Sequence, residues 1–167
     1  MVEREKIFTT KLNYNGIFNF NDFYNFCYNW MKDETKLDII ERKYSEKITG
    51  DTKKVVFEWE GTREVTDYFK LEVKFNFDVN GLGKVEINQD GHKIQTNKGG
   101  VEIKMEGTLI KDYKGRFETN PMFKFMRGMY ERFIIPARIE EMKERLQGEV
   151  DEILSQIKAW LDLEGRK

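Results

Sequence analysis

The chain has 167 residues, enough for one domain with its own core, and 35% of them are charged and 14% aromatic. That composition excludes a disordered tail. A formal net charge of −1, with no basic cluster, argues against a nucleic-acid surface. The single cysteine, Cys27, excludes an internal disulfide and any multi-cysteine metal site.

The first residues, MVEREKIF, lack the apolar core of a signal peptide, and no stretch approaches the roughly 18 apolar residues of a membrane span. A cytoplasmic protein is the expectation. Residues 5–14 place Phe8, Thr10, Leu12 and Tyr14 on one face at period two, a strand pattern, and Asn15-Gly16 supplies a turn. A helix is predicted over 20–33, capped by Asn19 or Asn21. Phe23, Phe26, Cys27, Trp30 and Met31 recur there at helical spacing, and Asn21, Asn25 and Asn29 form the polar stripe. Cys27, among aromatics, reads as a buried structural thiol.

From Leu37 the period changes to two. Strands are predicted at 37–48 and 53–65, joined at Thr49-Gly50-Asp51, and at 68–79. In the last of these, Phe69, Leu71, Val73, Phe75, Phe77 and Val79 face one way and charged or polar residues the other, as in a one-side-buried antiparallel sheet. The preceding turn falls at Thr66-Asp67 or, alternatively, at Gly61. Asn80-Gly81, Asp90-Gly91 and Asn97-Lys98-Gly99-Gly100 are read as three more turns, delimiting strands at 83–89, 92–97 and 101–112. Gly107 falls within the apolar row of the last and marks a bulge or bend. The count is seven strands.

After Lys114-Gly115, Thr119 or Asn120 caps a helix that Pro121 begins. Within 122–135, Met122, Phe123, Met126, Met129, Tyr130 and Phe133 fall on one half of the wheel, and Lys124, Arg127, Gly128, Glu131 and Arg132 on the other. Pro136 kinks this helix or starts a second one. From 137 to 163, Ile139, Met142, Leu146, Val150, Ile153, Leu154, Ile157, Trp160 and Leu161 form the stripe of a helix docked on a core. Glu141 with Arg145, and Lys158 with Asp162, are the expected i,i+4 pairs.

The order strand, helix, six-strand meander, long C-terminal helix, with the run GRFETNPMFKFMRGMYERF before the final helix, resembles the START-like, or Bet v 1-like, helix-grip superfamily. That group includes lipid-transfer domains, polyketide cyclase and dehydratase-like proteins and coenzyme Q-binding proteins. The second helix usual after its first strand, and the glycine-rich loop of its plant members, have no counterpart here. The resemblance implies a single α+β domain over 1–167: seven antiparallel strands wrapped around the helix at 137–163, with one short helix between strands 1 and 2. It also implies an apolar cavity between sheet and helix. The lining carried over would be Phe57, Trp59, Phe69, Leu71 and Val73, then Phe75, Ile103 and Met105, with Met126, Met129, Tyr130 and Phe133 closing one end. Met adapts to irregular shapes and suits a variable ligand. The competing reading is that these side chains fill a solid core.

Arg63 shares the inward parity of Phe57 and Trp59 if strand 53–65 runs unbroken, and could then hold a ligand carboxylate. A buried unpaired charge is costly, and the favoured reading is a bulge at Gly61 that turns Arg63 to solvent. Tyr44 and Tyr130 could orient a polar ligand group. His92, beside Asp90-Gly91, reads as an exposed turn residue, and no metal site, cofactor or catalytic set stands out. The expected function is a non-enzymatic carrier of a small hydrophobic or lipid-like ligand. The runner-up is a protein-interaction or assembly module, homodimer included, using the 122–135 face. A cyclase or dehydratase-like enzyme comes third. The same Met- and Phe-rich face, beside Lys124, Arg127 and Arg132, also suits peripheral contact with a membrane as a lid or interface helix over 119–135, although core packing is the favoured role.

Overall fold

The computed structural model describes residues 3–66, 68–114, 121–133 and 135–166. Its elements are β1 (Glu3–Phe18), α1 (Phe20–Thr35), β2 (Asp38–Thr49), β3 (Thr52–Glu64), β4 (Phe69–Gln89), β5 (His92–Lys111), α2 (Pro121–Phe133) and α3 (Ile135–Gly165). The fold is α+β. The strands form one antiparallel sheet in the order β1-β5-β4-β3-β2, so β2 to β5 make a meander and β1 returns beside β5. Asp67 and residues 115–120, the predicted caps Thr119 and Asn120 among them, lie outside the described residues.

Among the described residues the sheet has five strands rather than the predicted seven, because two of the predicted turns, Asn80-Gly81 and Asn97-Lys98-Gly99-Gly100, lie inside β4 and β5. Asn15-Gly16 stays in β1, where Gly16 pairs with Gly99. At Asn80-Gly81 the register steps from Asn80 opposite Gly100 to Gly83 opposite Lys98, and Gly81 has φ +60°. Two residues therefore face one, a β-bulge with glycine in the left-handed position. The bulge needs Gly99 opposite it, since a Cβ there would come within 3.0 Å of the Asn80 carbonyl oxygen. Asp90-Gly91, with φ values of 52° and 78°, is the true hairpin turn. The predicted strands 68–79 and 83–89 are thus one strand, and so are 92–97 and 101–112.

Alternation separates the two faces of the sheet. On one side Val55, Phe57 and Trp59, with Phe75, Phe77, Val79, Ile103 and Met105, are buried. The other side carries cross-strand ion pairs, including Arg4 to Glu72, Lys11 to Glu102 and Arg42 to Glu60. Both α1 and α3 pack on the apolar face. From α1 come Phe20, Phe23, Cys27 and Met31, and from α3 Leu146, Val150, Ile153, Ile157 and Leu161. Asn19 caps α1 by accepting from the Asp22 amide at 3.0 Å. Arg145 turns forward to Glu149, 3.8 Å away, rather than back to the expected Glu141. A smaller apolar cluster of Tyr68, Phe69, Leu109 and Ile139 covers the other end of the sheet.

Candidate functional site

Most of the expected lining is interior. Phe57, Trp59, Phe69, Leu71, Val73, Phe75, Ile103 and Met105 are all buried. Their rings meet directly: Phe57 stacks on Phe77 with centroids 4.4 Å apart, and Trp59 lies 5.2 Å from both Phe57 and Tyr24. Tyr24 also donates to Glu41 at the edge of this cluster, and burial together with that carboxylate pushes its pKa up to about 12. Tyr44 is half exposed and donates to Glu46 at 2.8 Å, so its hydroxyl has a protein acceptor. Cys27 is fully buried, and burial pushes its thiol pKa well up, which suits a packing role. His92 opens β5 and is exposed beside the hairpin turn.

Arg63 does not turn to solvent. The strand β3 runs unbroken through Gly61, whose missing side chain makes room for Leu37; a Cβ there would lie 3.2 Å from that leucine. Inward parity is kept, and the Arg63 side chain is 23% exposed. Its guanidinium donates to the Thr35 carbonyl at 2.8 Å, at the C-terminus of α1, and to Glu149 of α3 at 2.8 Å. One side chain therefore ties β3 to both helices. Around it opens a cleft of about 540 Å³ between α3 and the β3–β4 corner, lined by Lys36, Arg63, Arg138, Arg145 and the apolar side chains Val65, Met142 and Leu146.

The second feature is α2. Met122, Phe125, Met126 and Met129 are 72%, 67%, 51% and 47% exposed. Spaced i, i+3, i+4, i+7, they form one apolar stripe facing out. The side chains of Phe123, Tyr130 and Phe133 lie outside the described residues. Core packing was the expected role of this face; of its six members Met122, Met126 and Met129 are exposed, and Arg127 of the polar half is buried. Asp112 at the end of β5 is 2% exposed, and the Arg127 guanidinium lies 3.6 Å from it and 3.4 Å from Glu3. A buried carboxylate without a cation is costly, and Arg127 offsets that cost for Asp112.

Pro136 stands in the first turn of α3, so the proline starts a second helix. Among the described residues no group of three or more His, Cys, Asp or Glu side chains gathers as a metal site. No described helix is long and apolar enough to cross a membrane. The cations of the cleft come from the end of α1, from β3 and from α3, and no local signal in the sequence groups them. No family model, curated protein or solved structure matches the chain.

Proposed function

We propose that the protein is a peripheral binding module that lies on an anionic lipid surface through α2. The observation that carries this reading is the outward stripe of Met122, Phe125, Met126 and Met129, with Arg127 turned in. A contiguous exposed apolar stripe of this kind marks an interaction site. Charge selects the occupant. Between Lys111 and Arg138 there are seven basic and three acidic residues, in a chain whose net charge is −1. Lys124 and Arg132 are exposed on the same helix. An apolar face flanked by cations suits the headgroup layer, where each basic residue contributes about 1 kcal/mol against an anionic leaflet.

The strand–helix–meander–helix order, with α3 on the apolar side of the sheet, supports regarding the chain as a five-stranded relative of the helix-grip proteins. A carrier built on a central cavity has less support, because the rings it would need apart lie against one another.

Sedimentation with vesicles tests the proposal. Binding is expected to phosphatidylcholine vesicles containing phosphatidylserine and not to pure phosphatidylcholine. It should weaken from about 0.1 M to about 1 M salt as the screening length falls from about 10 to about 3 Å. Met126→Asp with Met129→Asp should reduce binding more than tenfold, since each buried methionine is worth about 1.5 kcal/mol or more. If the protein ignores both vesicles and forms a dimer that the same substitutions break, the face serves assembly and the lipid reading is overturned.

A further inference from the structure

The cleft beside Arg63 lies where the core is divided. The main apolar cluster ends at Leu146 and the smaller one begins at Ile139; half-buried Val65 packs against both, and Met142 against the smaller. The cleft opens over this seam, so its floor is apolar while its rim is charged. Four cations line it, Lys36, Arg63, Arg138 and Arg145, against two acids, Glu64 and Glu141. Glu149 already engages two of the four, at 2.8 Å from Arg63 and 3.8 Å from Arg145. Lys36 and Arg138 make no ion pair with the described residues.

A second groove continues past Arg63 and Arg145 on the other side and is lined by Glu34, Glu149 and Glu152. An anion is therefore repelled from one side of this pair of arginines and drawn to the other. The distribution gives the seam a direction: a negative head at Lys36 and Arg138, and an apolar body over Val65, Met142 and Leu146. A volume of about 540 Å³ is within the usual range for a small-molecule site. Arginine adds a flat fork suited to a carboxylate or phosphate, and lysine a compact charge.

We propose that this cleft binds a single-chain amphiphile with a carboxylate or phosphate head, Lys36 and Arg138 taking the head and the Val65–Met142–Leu146 floor the chain. The proposal does not depend on the docking of α2. Titration calorimetry with decanoate, decyl phosphate, decanol and inorganic phosphate, each below its micelle concentration, tests it. Decanoate or decyl phosphate should bind about tenfold or more tighter than decanol and than inorganic phosphate, and whichever binds tighter identifies the head. Lys36→Glu with Arg138→Glu, both on exposed side chains, should weaken the anion by about tenfold or more while the melting temperature holds. Met126→Asp with Met129→Asp should leave it unchanged, which separates this site from α2. Equal binding of decanol, equal binding of inorganic phosphate, undiminished binding in the Lys36/Arg138 variant, or no binding of either amphiphile would each overturn the assignment.

Discussion

Phe8 and Gly107 face each other across β1 and β5, next to a register shift between Lys6 and Phe8. The phenyl ring fills the space that a side chain at position 107 would take, since a Cβ there would lie 2.1 Å from its Cε1. Phe8 is buried and cannot swing away cheaply. Gly107→Ala should therefore cost about 1–3 kcal/mol by overpacking, read as a shift of the denaturation midpoint at constant slope. In a Phe8→Leu background the same change should cost less, and strict additivity of the two would show that the ring is not what excludes the methyl. Arg63 makes the same point about neighbours. Two positions before it on the same strand, Gly61 leaves room for Leu37, the residue that follows α1's cap.

At the scale of elements, one side chain hydrogen-bonds the long β4–β5 hairpin to the start of α1. Asn97 accepts from the Phe20 amide at 3.1 Å through Oδ1 and donates to the Gly83 carbonyl at 3.3 Å through Nδ2. It satisfies an amide at the start of α1 that the helix itself leaves without a partner. Asn97→Ala should cost about 1–3 kcal/mol, because two partly buried partners lose their bonds. Asn97→Asp should cost less, since a carboxylate keeps the acceptor and is favoured at a helix N-terminus. Hydrogen exchange at the Phe20 amide is the local readout: faster in the alanine variant and close to the parent in the aspartate variant.

Across the whole molecule, ion pairs on the outer face and around α3 set the response to pH. Burial raises the Glu5 pKa, but the hydrogen bond and charge of Lys111, with Lys143, hold it below the ordinary value of 4.5. Lys6 lowers Glu106, and the Tyr44 hydroxyl with Lys53 lowers Glu46. A depressed folded-state pKa stabilises the protein above the unfolded value and loses that contribution as pH falls through the folded one. Tyr24 has the opposite sign. Its pKa, raised from 10.0 to about 12 by burial and Glu41, stabilises the protein below pH 10 and loses that contribution as pH rises towards 12. Thermal unfolding should therefore show a plateau between about pH 5 and pH 9 with a fall on each side. In Tyr24→Phe the alkaline fall should move or shrink; an unchanged alkaline limb would remove Tyr24 from the account.

Much of the architecture was legible in the sequence because it follows from periodicity. The inward row of β4, the stripe of α3 and the Asn19-capped face of α1 are set by residues close in the chain, whose spacing decides which side meets water. The five-strand count was not legible, since Asn-Gly suits a hairpin turn and a glycine bulge equally well by local conformation, and only the partner strand decides. Nor was the rotation of α2. Its wheel is divided into apolar and polar halves, and the spacing does not say that Met122, Met126 and Met129 of the apolar half are exposed. Arg127 of the polar half is buried beside the carboxylate of Asp112. Local spacing thus determined which residues share a face. The tertiary structure decided which partner strand turns an Asn-Gly pair into a bulge and which cation meets the buried carboxylate of Asp112, because both depend on residues distant in the chain.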